Sequence, residues 1–264
     1  MIVAGYIASI LIGLSLGLVG GGGSILTVPV LVYLFGIDAM QATYYSLFIV
    51  GSTSLVGAFR HYRQGNVQLR VAALFGVTSI GTILLVRRFL LPLVPKVLFT
   101  LGNTVVTRQM ATMALFALLM VAASLSMIRG GNAEPVPDEK SENKTLQFVL
   151  AGIGIGVVTG VLGAGGGFLL IPALVLLLRL PMKQAVGTSL LIIALNSLSG
   201  FAGDLGSANI NWQFLLTITG IAVAGILVGT RLSRNIPGHK LKKGFGWLVL
   251  IMGIYIFIRE IYTA

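Results

Sequence analysis

The sequence contains no cysteine and few ionisable side chains of any kind. Only 9% of its 264 residues are charged, seven residues are Asp or Glu, and two are His. Without cysteine the chain can form no disulfide, thiolate nucleophile or Cys-ligated metal site. Soluble domains average about 25% charged residues. This chain therefore has too little charge to face water over its whole length.

Apolar runs occupy most of the sequence instead. The chain is 56% hydrophobic with a mean hydropathy of +0.99, and stretches of about 20 apolar residues recur, enough to cross a hydrocarbon core about 30 Å thick. The runs do not alternate with a period of two, which predicts an all-α membrane protein rather than a β-barrel. The predicted spans are 2–19, 40–59, 71–86, 110–128, 146–164, 185–203, 212–230 and 244–258.

The net charge of +11 comes from basic residues in short loops between these spans. This distribution is typical of cytoplasmic loops in membrane proteins. It favours a lipid bilayer as the partner and argues against nucleic acid.

The sequence contains an internal duplication. Residues 13–69 recur without gaps 143 positions later, with about a third of the aligned positions identical. A hydrophilic stretch, 129–145, separates the copies and holds four of the seven carboxylates. We therefore predict a first transmembrane repeat over 1–128, a linker over 129–145 and a second repeat over 146–264.

Each repeat carries a glycine-rich break inside an apolar run, at 20–23 and 163–167, followed by an apolar piece of about 12 residues. Twelve helical residues cover about 18 Å, roughly half a membrane. If the break turns the chain back, the two repeats are inverted relative to each other. If it only kinks one span, they are parallel. Lysine and arginine are more unequally distributed between the two sides in the inverted arrangement, so the sequence favours it.

The breaks are candidate anion sites. A helix that begins after Ser24 or Gly167 presents free N–H groups and its positive dipole end to the break, and glycine lets a ligand approach the backbone. Two such ends can bind a small anion without a buried lysine. The glycines at four-residue spacing are expected to serve helix packing instead; they are Gly13, Gly17, Gly21, Gly152, Gly156 and Gly160.

Uncharged polar side chains follow each half-helix. Ser189 and Asn196 are seven residues apart and share one helix face. Hydroxyls and amides can bind an oxyanion at a lower cost in lipid than ionised groups, although each could instead bond to its own helix. The candidate substrate-binding residues are Gly20, Gly21, Gly22, Gly23, Ser24, Gln41, Ser46, Gly163, Gly165, Gly166, Gly167, Gln184, Thr188, Ser189, Asn196 and Ser197.

Motifs of catalysis are not found in the sequence. Neither glycine run matches G-x-G-x-x-G, and no Gly-Lys-Ser/Thr follows for a P-loop. His61 and His239 lie in or beside basic loops and are expected to be solvated or interfacial. We predict a protein that is not an enzyme and has no catalytic residue, metal or cofactor.

The doubled motif Gly-x-x-Gly-x-Gly-Gly-Gly-x-x-x-x-Pro, followed by Ala-x-Gly-Thr-Ser, resembles the sulfite exporter TauE/SafE family. The second half fits best, at 160–172 and 185–189, whereas the first half has Ala42-Thr43-Tyr44-Tyr45-Ser46 in the latter place. The resemblance implies a multi-pass permease of the bacterial inner membrane that exports sulfite or a related sulfur oxyanion or organosulfonate by alternating access. Import of a small anion and a non-transporting scaffold or enzyme remain the alternatives, and a homodimer is left open.

Overall fold

The computed structural model describes residues 2–90, 93, 95, 97–101, 104–129, 144–162, 167–203 and 210–262. Over these residues the chain is helical apart from one short antiparallel hairpin, which the sequence analysis did not predict. The helices are α1 (Ile2–Val19), α2 (Ser24–Phe35), α3 (Ala39–Arg63), α4 (Leu69–Leu85), α5 (Arg108–Arg129), α6 (Lys144–Leu162), α7 (Gly167–Pro172), α8 (Met182–Gly203), α9 (Trp212–Asn235) and α10 (Gly238–Tyr262). The hairpin consists of β1 (Val97–Leu101) and β2 (Thr104–Thr107), and π-helical turns at Val86–Leu90 and Ala173–Leu177 continue α4 and α7.

The apolar helices confirm the predicted all-α membrane fold. Within the described residues, four helices are long and apolar enough to cross a membrane; these spans are Gln41–Arg63, Leu69–Leu90, Met182–Ala202 and Trp212–Asn235. Large apolar side chains such as Val77 and Ile251 are 72% and 63% exposed on the outside of the bundle. Such a surface suits lipid and not water.

Helix boundaries recur at the offset of the sequence duplication. Adding 143 to positions 19, 24, 39 and 69 gives 162, 167, 182 and 212, which are the end of α6 and the starts of α7, α8 and α9. The elements α1 to α4 therefore occupy the same positions in the first half as α6 to α9 do in the second.

Helices of one half pack in parallel against helices of the other. On α1, Gly13 faces Ala222 and Ile226 of α9, and Gly17 faces the backbone around Thr230. Contacts further along α1 are thus made further along α9, so the two helices run in the same direction. The pair α4 and α6 has the same relation, because Gly152 meets Thr78 and Gly156 meets Thr82. At 13, 17, 152 and 156 the missing side chain leaves room for the facing helix.

The equivalent helices α3 and α8 cross at the centre and run antiparallel. Gly51 of α3 contacts Leu198 of α8, whereas Gly57, further along α3, contacts Leu190, earlier in α8. The pair α5 and α10 is also antiparallel and packs beside this centre.

The first glycine break reverses the chain. The Phe35 ring at the end of α2 lies 5.6 Å from the Tyr6 ring near the start of α1, measured between centroids. At the other end of this helix pair, where α2 begins, Gly23 packs against Leu16 near the end of α1. Helix α2 therefore runs back along α1 instead of continuing it, and the break lies at the tip of a helical hairpin.

Candidate substrate site at the glycine breaks

Gly20 ends α1 in a conformation that favours glycine. Its φ is +73°, and its N–H donates to the Leu16 carbonyl at 2.7 Å. A β-carbon on Gly20 would lie 2.8 Å from the Ser189 hydroxyl oxygen and 2.8 Å from the Ile171 δ-carbon. The backbone torsion and the close approach of the second repeat both require glycine here.

The turn Gly21–Gly23 leads from α1 into α2 and contains Gly22. Ser24 begins α2 and donates its hydroxyl to the Gly21 carbonyl at 2.7 Å. This bond holds the turn closed. The N-terminal end of α2 lies directly beside the break, as the sequence analysis predicted.

Gly167, the last residue of the second break, lies beside the first break. Gly167 begins α7 and is buried, and a β-carbon on it would lie 3.0 Å from Ile193 and 3.3 Å from the Ser24 hydroxyl oxygen. The starts of α2 and α7 are therefore neighbours. The predicted site residues Gly163, Gly165 and Gly166 lie outside the described residues.

One face of α8 borders both breaks. Ser189 contacts Gly20, Ile193 contacts Gly167, and Asn196 follows one turn later. The Ser189 hydroxyl donates to the Val186 carbonyl of its own helix at 2.9 Å. Ser197, beside Asn196, is 9% exposed. The face that the sequence analysis selected from residue spacing thus lies against the breaks.

Buried polar atoms of Thr53 and Ser54 on α3 and of Asn196 on α8 have no hydrogen-bond partner in the described part of the chain; they are Thr53 Oγ1, Ser54 Oγ and Asn196 Oδ1. An unsatisfied buried group costs about 1–3 kcal/mol, so each needs an explanation. Several other buried hydroxyls donate to a carbonyl of their own helix; Ser46, for example, donates to the Thr43 carbonyl at 2.7 Å.

The sequence analysis did not select Thr53 and Ser54. The duplication pointed to them, because positions 53 and 54 are equivalent to the candidate residues Asn196 and Ser197 at the offset of 143.

Thr188 and Gln184 hold the loop between α3 and α4. The Gln68 N–H donates to Thr188 Oγ1 at 3.1 Å, and Gln68 Nε2 donates to Gln184 Oε1 at 3.2 Å. Gly187 lets this loop approach, because a β-carbon there would collide with the Asn66 carbonyl. The Ala-x-Gly-Thr-Ser motif thus anchors a loop of the other repeat, and its predicted contact with substrate stays a prediction.

The first repeat makes the equivalent bond with a different residue. The Asn211 N–H donates to Tyr45 Oη at 2.8 Å, and Gln41 Nε2 donates to the same oxygen at 3.0 Å. Positions 45 and 188 differ by 143, and so do 68 and 211. The Tyr45 hydroxyl therefore accepts the loop N–H in the first repeat as the Thr188 hydroxyl does in the second. This gives a physical reason why the first half has Tyr where the motif has Thr.

A cavity of about 380 Å³ opens at the C-terminal end of α1. Its lining residues are Leu18, His61, Arg63, Gln64, Asn66, Lys183, Val186, Ser233, Arg234 and Leu241. His61 is only 2% exposed, so the prediction that it is solvated or interfacial was wrong. It is buried because the loop after α3 folds over Gly187, whose missing side chain leaves room for His61. His239 is partly buried.

The described residues include no group of three His, Asp or Glu side chains that could hold a metal ion. The breaks instead offer backbone N–H groups, hydroxyls and one amide. Such a set can bind a small solute inside a membrane.

The long apolar helices, the chain reversal and the meeting of the two breaks define a multi-pass helical membrane protein. The sequence model described as sulfite exporter TauE/SafE matches residues 6–256, and the chain belongs to this family. The relatives of this chain are named as probable membrane transporter proteins. It is 31% identical to the "Probable membrane transporter protein" of Xylella fastidiosa (strain Temecula1), over 95% of this chain and 92% of the relative.

More distant relatives also match over nearly their whole length. The chain is 24% identical to the "Probable membrane transporter protein YdhB" of Bacillus subtilis, over 92% of this chain and 95% of the relative. It is 25% identical to a "Probable membrane transporter protein" of Methanocaldococcus jannaschii, over 98% of this chain and 94% of the relative. The protein is a membrane transporter.

Proposed function

We propose that this transporter exports a small anion across the bacterial inner membrane by alternating access, and that the anion is sulfite or a related sulfur oxyanion or organosulfonate. The observation that carries the proposal is the meeting of Ser24 and Gly167 beside the α8 face that ends in Asn196. The substrate would sit at this meeting point. We propose no catalytic step, since transport needs only binding and a change of access.

The donors at this place suit an anion. The Ser24 N–H donates to the Gly21 carbonyl, so the N–H groups offered to a ligand are those of the Gly21–Gly23 turn that leads into α2. Together with the dipole of α2 they favour negative charge over a cation. Ser and Thr hydroxyls can donate to an oxyanion, and the Asn196 amide can turn either its nitrogen or its oxygen to a ligand. A sulfur oxyanion offers several acceptor oxygens and would satisfy the unpartnered atoms of Thr53, Ser54 and Asn196.

Two observations support inverted repeats. In this arrangement the two repeats can exchange conformations, which opens the site to one side of the membrane and then to the other. The equivalent helices α3 and α8 run antiparallel, as inversion requires. Arg63 of the first half and Arg234 of the second line the same cavity, whereas parallel repeats would put them on opposite sides of the membrane. Both fit an N-terminus outside the cell and the basic loops within it.

Purified protein in liposomes loaded with radiolabelled sulfite tests the proposal directly. We expect saturable efflux above that of empty liposomes, and inhibition by excess unlabelled sulfite. Taurine and sulfate, tested as labelled substrates in parallel, define the substrate class. Absence of flux with all three anions would contradict the proposed function, and uptake without efflux in vesicles of known orientation would reverse the proposed direction.

A further inference from the structure

We infer that the cavity at the end of α1 is a second anion site, in which a small oxyanion is held on the cytoplasmic side before it reaches the glycine breaks. This inference rests on the proposed function. It adds a binding site whose residues differ from those at the breaks.

Positive charge converges on the cavity from three elements. Arg63 comes from the end of α3, Lys183 from the start of α8 and Arg234 from the end of α9. None of the described lining residues is acidic, so no described carboxylate in the wall neutralises this charge. Lys183 Nζ donates to the Arg234 carbonyl at 3.0 Å, which fixes the ammonium group while leaving it further donors.

A buried group without a partner faces the same space. Neither ring nitrogen of His61 makes a hydrogen bond within the described residues, although the Gly17 backbone lies close enough to interact with the ring. A neutral imidazole always carries one N–H donor, and leaving it unpaired in a buried place is unfavourable. A bound oxyanion would accept that hydrogen bond.

The cavity adjoins the first glycine break. Leu18 and Val186 line it, and Val186 also lies behind Gly20, with its α-carbon 3.4 Å from the position of a β-carbon there. Val186 thus borders both the cavity and the break, and Leu18 lies in the cavity wall two residues before Gly20.

The size of the cavity suits a partly hydrated ion. Its volume of about 380 Å³ is many times the ~30 Å³ that a water molecule occupies in the liquid. An anion can thus enter with some of its water and be bound without full desolvation, and stripping of the remaining water is left to the breaks.

The absence of cysteine makes a local binding assay possible. We would place a single cysteine at Gln64, an exposed residue of the cavity wall, and measure its reaction rate with N-ethylmaleimide in protein reconstituted in nanodiscs. Sulfate is the probe, because sulfite itself consumes maleimide, and potassium chloride keeps the ionic strength constant. Lys240→Cys, on α10 and outside the cavity lining, is the control.

We expect sulfate to slow labelling of Gln64→Cys in a saturable manner and to leave Lys240→Cys unaffected. Adding Arg234→Gln should raise the sulfate concentration for half-protection about tenfold, because one charge-assisted hydrogen bond is lost. Arg231→Gln, which removes the same charge from the same helix outside the cavity, should change it less than about twofold. Equal protection of both cysteines, or equal effects of the two arginine variants, would overturn the inference.

The contribution of His61 has its own pair of variants. His61→Gln keeps a donor and should preserve protection to within about threefold, whereas His61→Leu should lose it. Size-exclusion profiles identify any variant that fails to fold, and the arginine pair decides the inference in that case. Protection without flux would remove the proposed function and keep this site; flux without protection would do the reverse.

Discussion

Gly20 and Gly36 both have a positive φ but differ in ψ and in surroundings. Their φ values are +73° and +69°, and their ψ values are −125° and +25°. A β-carbon on Gly36 would meet nothing within 4 Å, whereas one on Gly20 would press on Ser189 and Ile171. Gly36 is left-handed helical, where a side chain costs about 1–2 kcal/mol, whereas Gly20 has a ψ of −125°, in a region that glycine alone adopts readily. Gly36 is therefore the control for a positive φ away from the break.

We predict that Gly20→Ala lowers the rate of sulfite flux by tenfold or more, because displacement of the break misplaces the donors around it. Gly36→Ala should lose less thermal stability than Gly20→Ala, because its αL backbone and open surroundings tolerate a methyl group better, and it should keep its flux. Flux assays in liposomes and melting curves on the same preparations check both. Equal flux in the two variants would show that the break tolerates a side chain and does not set the transport rate.

Thr53→Val tests whether the unpartnered hydroxyl at the centre of α3 serves the substrate. Valine has the shape of threonine and removes an atom with no partner, so stability should stay equal or rise by about 1 kcal/mol. Sulfite flux should fall. Thr219→Val is the matched control, because the Thr219 hydroxyl already donates to the Leu215 carbonyl at 2.7 Å. Wild-type flux in Thr53→Val would remove this residue from the proposed site.

At the scale of elements, the loops before α4 and α9 are each held by a hydroxyl of the opposite repeat. We predict that Thr188→Val speeds hydrogen exchange of the Gln68 amide about fivefold, since one net hydrogen bond is worth about 1 kcal/mol. Tyr45→Phe should do the same at Asn211, and each variant should leave the other loop unchanged. Mass spectrometry of the two peptides provides the measurement. Exchange unaltered in both loops would mean that water replaces these bonds at no cost.

The helices themselves were largely predictable from the sequence. The expected spans 2–19 and 212–230 match α1 (Ile2–Val19) and most of α9 (Trp212–Asn235), because apolar runs of membrane length leave the backbone little choice. The hairpin β1–β2 was not predicted, because its residues do not alternate between apolar and polar as a half-buried strand would. The reversal at α2 was favoured only by the distribution of lysine and arginine, because a glycine run by itself permits both a kink and a reversal.

The site was only partly predictable. Residue spacing placed Ser189 and Asn196 on one face, and this needs only helical geometry. The bond from Gln68 to Thr188 joins residues 120 positions apart, and no local pattern encodes it. His61 was misjudged for a similar reason: its burial depends on Gly187 of a distant helix.

At the scale of the whole molecule, the distribution of ionisable groups predicts the driving force. None of the seven carboxylates falls in the middle of an apolar run, and four lie in 129–145, whereas ion-coupled carriers usually hold such a group inside the membrane. A potential of 100 mV supplies about 2.3 kcal/mol per charge, an equilibrium ratio of about 50-fold for a monovalent anion.

We therefore predict electrogenic export without a coupled ion. Flux in liposomes should rise with a potassium–valinomycin potential and persist without a proton or sodium gradient. The rival is proton coupling through His61, which is buried in α3. Flux that ignores the potential, follows a pH gradient and loses this dependence in His61→Gln would establish the rival.

Each half accepts a hydrogen bond from a loop of the other through a hydroxyl group, and this reciprocity bears on how such a chain could arise. Tyr45 holds the loop of the second half, and Thr188 holds that of the first. In a gene that encoded one half, both bonds would join separate copies inserted in opposite orientations. Fusion would make that encounter intramolecular, which raises the effective concentration of each half for the other. Once fused, each half could adjust its own anchor, and a tyrosine could replace a threonine without any effect on the other copy.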